Sequence, residues 1–89
     1  MISETLVLRN RLGLHVRAAA KLVQTASAYE SKVSLTVDGN EADGKSILGL
    51  LQLLAAKGTP IAFEIEGPDE AAAFAALKDL IERRFDESE

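Results

Sequence analysis

Apolar positions switch along the chain between a repeat of two and a repeat of three to four residues. The switches mark out seven elements. Glu4–Arg9 reads as a strand with Leu6 and Leu8 on one face, and Asn10–Leu14 as a loop. From about Val16 to Ser27, Ala19, Leu22, Val23 and Ala26 recur at helical spacing and predict an amphipathic helix. After a break at Ala28–Ser31, Lys32–Val37 alternates strictly and predicts a strand. Asp38-Gly39 predicts a hairpin turn, because glycine accepts a positive φ, and Asn40–Ala42 is the short return strand.

Ser46 precedes an apolar run, Ile47–Leu54, which predicts a second helix ended by Lys57-Gly58 with Gly58 as its C-terminal cap. Ile61, Phe63 and Ile65 alternate with Ala62, Glu64 and Glu66 in a further strand, and Pro60 is tolerable at its start. Gly67-Pro68-Asp69 predicts a turn, with Asp69 capping a last helix that carries Phe74, Leu77, Ile81 and Phe85 on its inward face. Asp86–Glu89 reads as a frayed tail.

The order is thus βαββαβα, in one domain spanning residues 1–89. Each strand has one apolar face. That pattern predicts an α+β, open-faced β-sandwich: a four-stranded, mostly antiparallel sheet covered on one face by three helices. The other face, with Ser34, Thr36, Glu64 and Glu66, is expected to be wet.

Composition narrows the chemistry. Hydrophobic residues make up 47%, enough for one small core, and aromatics only 4%, so that core is aliphatic. The formal net charge of −4 and the lack of a Lys/Arg block argue against nucleic acid. There is no cysteine and a single histidine, so neither a disulfide framework nor a zinc site is expected, and nothing calls for a cofactor. No apolar run approaches the ~20 residues of a membrane span, and no signal-peptide core is present. A soluble cytoplasmic protein, working as a monomer, is the expectation.

The single histidine, His15, lies in Arg11-Leu12-Gly13-Leu14-His15-Val16-Arg17-Ala18-Ala19-Ala20. A lone histidine is ordinarily a surface or core filler. Its neighbours argue otherwise here. Glycine loosens the backbone before it, Arg17 follows two residues on, and an alanine-rich run begins a helix. A neutral imidazole is a competent nucleophile near pH 7. Arg17 and the positive end of a helix both disfavour imidazolium, and both attract a phosphate once it is attached. No hydrolase pattern surrounds it. A histidine that accepts a group and passes it on needs only this much.

Ser46 is placed as an N-cap, worth roughly 1 kcal/mol. A phosphate on it would lie at the helix N-terminus and beside an apolar surface. Leu53, Leu50, Leu54, Ile47, Leu51 and Leu48 sweep roughly 220° at about 100° per residue. A helix lying on a sheet buries only part of so wide an arc, so some of these side chains stay exposed.

Gly13-Leu14-His15-Val16-Arg17-Ala18-Ala19 resembles the phosphorylation signature of HPr, the histidine-containing phosphocarriers of the bacterial sugar phosphotransferase system. Length, element order and Asp43-Gly44-Lys45-Ser46-Ile47-Leu48-Gly49-Leu50-Leu51 extend the resemblance over nearly the whole chain. The resemblance implies His15 as phosphoryl acceptor, Arg17 as the arginine beside it, Ser46 as the regulatory serine, and Ile47, Leu48 and Leu51 as an outward docking patch. It implies a carrier, not a catalyst. Its partners would be enzyme I, enzyme IIA domains and, where the host has one, an HPr serine kinase/phosphorylase. The family usually has alanine in place of Val16 and proline in place of Ala18, departures that bear on partner recognition. Two other readings stand beside this one. One is a nitrogen-related or purely regulatory relative; the other is a small ligand-binding or interaction module in which His15 is incidental.

Overall fold

Strict alternation in the second and last strands builds the centre of the sheet. The computed structural model describes residues 1–89. Strands β1 (Ile2–Val7), β2 (Lys32–Val37), β3 (Asn40–Asp43) and β4 (Pro60–Glu66) form one sheet in the order β1-β4-β2-β3, with every neighbour antiparallel. Val33, Leu35 and Val37 of β2 and Ile61, Phe63 and Ile65 of β4 are buried on one face. On the other, Ser34 is paired with Glu64 and Thr36 with Ala62, and this face is open to solvent as expected.

Helices α1 (Val16–Ser27), α2 (Ile47–Leu51) and α3 (Glu70–Glu82) cover the apolar face. Alanine at three of the four buried positions of α1 (Ala18, Ala19 and Ala26, with Leu22) lets that helix lie close to its neighbours. The result is the predicted open-faced α+β sandwich, with an aliphatic core in which Phe63 and Phe85 are the fully buried aromatics. No helix is long and apolar enough to cross a membrane.

Four local expectations are corrected. Strand β1 runs over Ile2–Val7, not Glu4–Arg9, because Val7 pairs with Pro60 at the start of β4 and the ladder ends there. Leu8 is still buried, but it lies beyond the strand. Helix α2 stops at Leu51, well short of Gly58. Leu53 N–H and Leu54 N–H bond back three residues, to Leu50 and Leu51, and Leu54 turns to φ +54°. Tighter bonds of this kind commonly close a helix. Gly58 instead donates its N–H to the Leu8 carbonyl.

The third correction concerns the end of the chain. Helix α3 ends at Glu82, so Phe85 is not part of its stripe. Arg84, Phe85 and Asp86 all have positive φ and make a single left-handed turn. Such residues cost ~1 kcal/mol or more each. Full burial of the Phe85 ring offsets this, as does the Phe85 carbonyl accepting from Lys21 Nζ at 2.7 Å. Residues 86–89 do not fray; they fold back over the start of α1, as described below.

The fourth is Asp69. It occupies the N-cap position of α3, yet its carboxylate makes no capping bond. The carboxylate reaches across to the break before β2. There it accepts from the N–H groups of Glu30 and Ser31, each at 2.9 Å, and from Ser31 Oγ. The Ser31 hydroxyl bond, then the Glu30 N–H, outweigh desolvation and hold the Asp69 carboxyl below its usual range. A depressed folded value adds stability above the usual carboxylate range, and that stability is lost as pH falls through the folded value. Asp69→Ala should therefore lower the melting temperature at neutral pH. The gap from wild type should close as the pH of the thermal scan is taken below the usual carboxylate range. A gap unchanged with pH would remove the ionised carboxylate from this account.

Candidate functional site

The loop before α1 is held from two sides. Leu8 N–H donates to the Thr59 carbonyl at 3.2 Å, and Leu14 N–H donates to the Ala55 carbonyl at 2.9 Å. Between them Gly13 has φ +64° and lies against the 55–56 backbone. A Cβ there would be 2.5 Å from the Ala55 oxygen and 2.8 Å from Ala56 Cα. Both the conformation and the close approach thus require glycine. Asn10 is fully buried. Its Nδ2 donates to the Gly13 carbonyl at 2.7 Å and to Glu87 Oε1 at 3.0 Å. Both partners are acceptors, which fixes the orientation of the amide.

His15 is itself the N-cap of α1, with extended backbone. Its Nδ1 accepts from Arg17 N–H at 3.3 Å, while its Nε2 bonds to Glu87 Oε2. With Nδ1 accepting and a carboxylate at Nε2, the tautomer of the neutral ring is the one with its proton on Nε2. The Nδ1 lone pair therefore points at the helix N-terminus. The first-turn N–H groups of Val16 and Ala18 have no partner in the chain. The missing proline at position 18 thus sacrifices no bond, since Ala18 N–H makes none.

A cleft of about 790 Å³ opens over the ring, walled by Arg11, Leu12, Val16, Arg17 and Lys21 and by residues 86–89. Arg11 pairs with Glu89 at 2.9 Å and Lys21 with Asp86 at 3.8 Å. Arg17 makes no ion pair and is exposed. The structure thus brings His15 and Arg17 together as expected, and adds an anionic wall that sequence reasoning missed. Desolvation pushes the Glu87 carboxyl up, but bonds from Asn10 and His15 and the charge of Arg17 prevail and hold it low. The view of His15 as surrounded only by positive charge is incomplete, because Glu87 faces Nε2. No local signal could have shown this: His15 and Glu87 are 72 residues apart.

Ser46 caps α2, its Oγ accepting from Gly49 N–H at 3.0 Å, and it lies outside the cleft. The over-wide apolar arc divides cleanly. Leu50 and Leu53 are buried; Ile47 is 40% and Leu48 69% exposed, and Leu51 is half-buried. Leu54, 86% exposed, is an outward residue that the expected patch did not include. Helix α2 packs on α1, so this surface adjoins the helix that His15 caps.

An open-faced sandwich with a histidine at a helix N-terminus and an unpaired arginine beside it is a geometry that suits an anion. Comparison with known proteins agrees. The family described as PTS HPr component phosphorylation site matches residues 2–83. The phosphocarrier protein HPr of Neisseria meningitidis is 48% identical over 100% of both chains. Phosphocarrier protein NPr of Escherichia coli is 39% identical over 97% of each. The crystal structure of HPr-C-His from Thermoanaerobacter tengcongensis superposes with a TM-score of 0.96 at 39% identity, covering 100% of both chains. The chain belongs to the HPr family of phosphocarriers of the phosphotransferase system.

The loop geometry makes its own prediction. Gly13→Ala should cost about 1–3 kcal/mol of stability, from the left-handed backbone and the contact with Ala55. Urea unfolding measures it. A variant as stable as wild type would mean that the loop does not lie against the 55–56 backbone.

Proposed function

We propose that His15 takes a phosphoryl group on Nδ1 from phosphorylated enzyme I and passes it to enzyme IIA domains, in the cytoplasm. The observation that carries this reading is the aim of Nδ1 at the first turn of α1 beside an unpaired Arg17. The Nδ1 lone pair forms the N–P bond. The bond from phosphorus to the donor breaks, and its electron pair leaves with the donor atom. Arg17 N–H then loses its ring acceptor and joins the N–H groups of Val16 and Ala18 in facing phosphoryl oxygens. The Arg17 guanidinium adds a two-pronged donor for the same oxygens. Nothing in this scheme hydrolyses the phosphoryl group, as suits a carrier. The choice of sugar uptake over a nitrogen-related or regulatory branch follows the higher identity to HPr, 48% against 39% to NPr.

In this reading Ile47, Leu48 and Leu51 dock the partner enzymes, supported by the exposure of the first two and the half-burial of the third. Ser46 is the regulatory position: a phosphate there would border those side chains and oppose their desolvation against a partner.

Incubation with phosphoenolpyruvate and enzyme I, followed by intact mass, tests the carrier role. Wild type should gain one acid-labile, base-stable phosphoryl group, and His15→Ala none while remaining folded. Arg17→Ala should slow uptake by about a hundredfold without abolishing it, because the nucleophile remains. Labelling of His15→Ala at the wild-type rate would defeat the assignment.

The docking surface is tested separately. Leu48→Glu should weaken enzyme I binding with little change in melting temperature, and Ser46→Asp should fold normally yet be phosphorylated more slowly than Ser46→Ala at subsaturating protein. Unfolding of Leu48→Glu would place that side chain in the core. Equal rates for the two Ser46 variants would reduce Ser46 to a helix cap.

A further inference from the structure

Phosphoryl transfer engages one nitrogen of the imidazole, Nδ1; the other, Nε2, is held by Glu87. Glu87 belongs to no strand or helix. It lies beyond α3, its side chain only 14% exposed, and both carboxylate oxygens are engaged. Oε1 accepts from the buried Asn10 amide, and Oε2 meets His15 Nε2. Asn10 is in turn anchored to Gly13, two residues before His15. A fully buried amide therefore orients a carboxylate, and the carboxylate orients the ring. We infer that Glu87 is a positioning residue for phosphoryl transfer, one that keeps the proton on Nε2 and balances the positive charge that appears on the ring when Nδ1 takes the phosphoryl group. The inference rests on His15 being the acceptor and goes beyond it in assigning the second nitrogen.

The chemistry favours such a group. Neutral His15 carries its one ring proton on Nε2. When the Nδ1 lone pair becomes the N–P bond, no proton leaves, so the ring becomes a cation beside a phosphoryl dianion. Glu87 stabilises that cation through a charge-assisted bond already in place before the reaction. When the group is handed on, the N–P electron pair returns to Nδ1 and the ring leaves as the neutral, Nε2-protonated form. Both directions thus proceed with Glu87 ionised throughout. The other charges facing the ring cancel in part: Arg11 with Glu89, and Lys21 with Asp86. Arg17 remains unpaired in the cleft wall, with its backbone N–H on Nδ1, where its charge opposes ring charge but would favour phosphoryl oxygens. Glu87 is the anion in contact with Nε2 itself.

Glu87→Gln keeps the shape and an acceptor oxygen but removes the charge; Glu87→Ala removes both. Each full-length variant is compared with wild type in two measurements: the rate of uptake from phosphorylated enzyme I, and the pH at which the phosphorylated ring loses its Nε2 proton, followed by imidazole 15N NMR. Glu87→Gln should be phosphorylated about tenfold more slowly, the difference between a charge-assisted and a neutral hydrogen bond, and Glu87→Ala at least as slowly. In both, the Nε2 proton should leave about one pH unit lower than in wild type, a readout that looser packing alone would not move. Glu87→Asp, which restores the charge on a shorter stem, should recover part of the titration shift. Coincident titrations and equal rates overturn the role of Glu87 and leave His15 as acceptor intact. Faster uptake in the variants also overturns it, by making Glu87 an occupant that the donor must displace. Failure of wild type to take up any phosphoryl group overturns the carrier reading, and this inference with it.

Discussion

The amide of Asn10 holds this molecule's working end together. It is sealed from solvent, and a buried amide donor left unpaired costs about 1–3 kcal/mol, so each of its two donors exerts strong local control. One donor closes the loop onto Gly13; the other draws in Glu87. The curvature of the loop, the position of the tail and the rotation of the His15 ring all depend in part on those two bonds. The sheet and helices supply a stiff platform, but they do not by themselves orient the imidazole. That orientation comes from the chain segments at their margins.

The division between platform and margin matches what could be read from the amino acids alone. Alternation at Val33, Leu35 and Val37, and at Ile61, Phe63 and Ile65, is a local signal with a local cause, so the central strands were legible. The capping roles of Ser46 and the placement of His15 were legible for the same reason, since each acts within three residues of itself. What failed was everything decided at long range. Asp69 has the chemistry of a cap, but the N–H groups of Glu30 and Ser31 claim its carboxylate from across the fold. Helix α2 has apolar residues enough for about one turn more, yet the 55–59 segment is drawn off to pair with Leu8 and Leu14. The tail reads as disordered because acidic residues there have no visible partners until Arg11, His15 and Lys21 are placed opposite them.

The two halves of the candidate site differ in the same way. His15, the cap of α1, and Arg17, in its first turn, are near neighbours in the chain and were read together. The apolar arc of α2 was recognised as too wide to bury, but only the fold shows that Leu50 and Leu53 turn inward while Leu48 and Leu54 turn out. The two surfaces are built on separate helices that pack against each other.

The left-handed turn at Arg84–Asp86 has a bearing on how the molecule comes into being. It returns the chain to Asn10 and His15 across separations of 77 and 72 residues, among the most distant pairings the polypeptide makes. Closing loops of that length carries a large entropic penalty and is rewarded only after the intervening structure has formed. The hairpin of β2 and β3 and the first turns of α1 need no such wait. Full orientation of the imidazole thus belongs to the last stage of folding, and a partly folded chain, even one with its sheet assembled, would present a histidine held on its Nδ1 side alone.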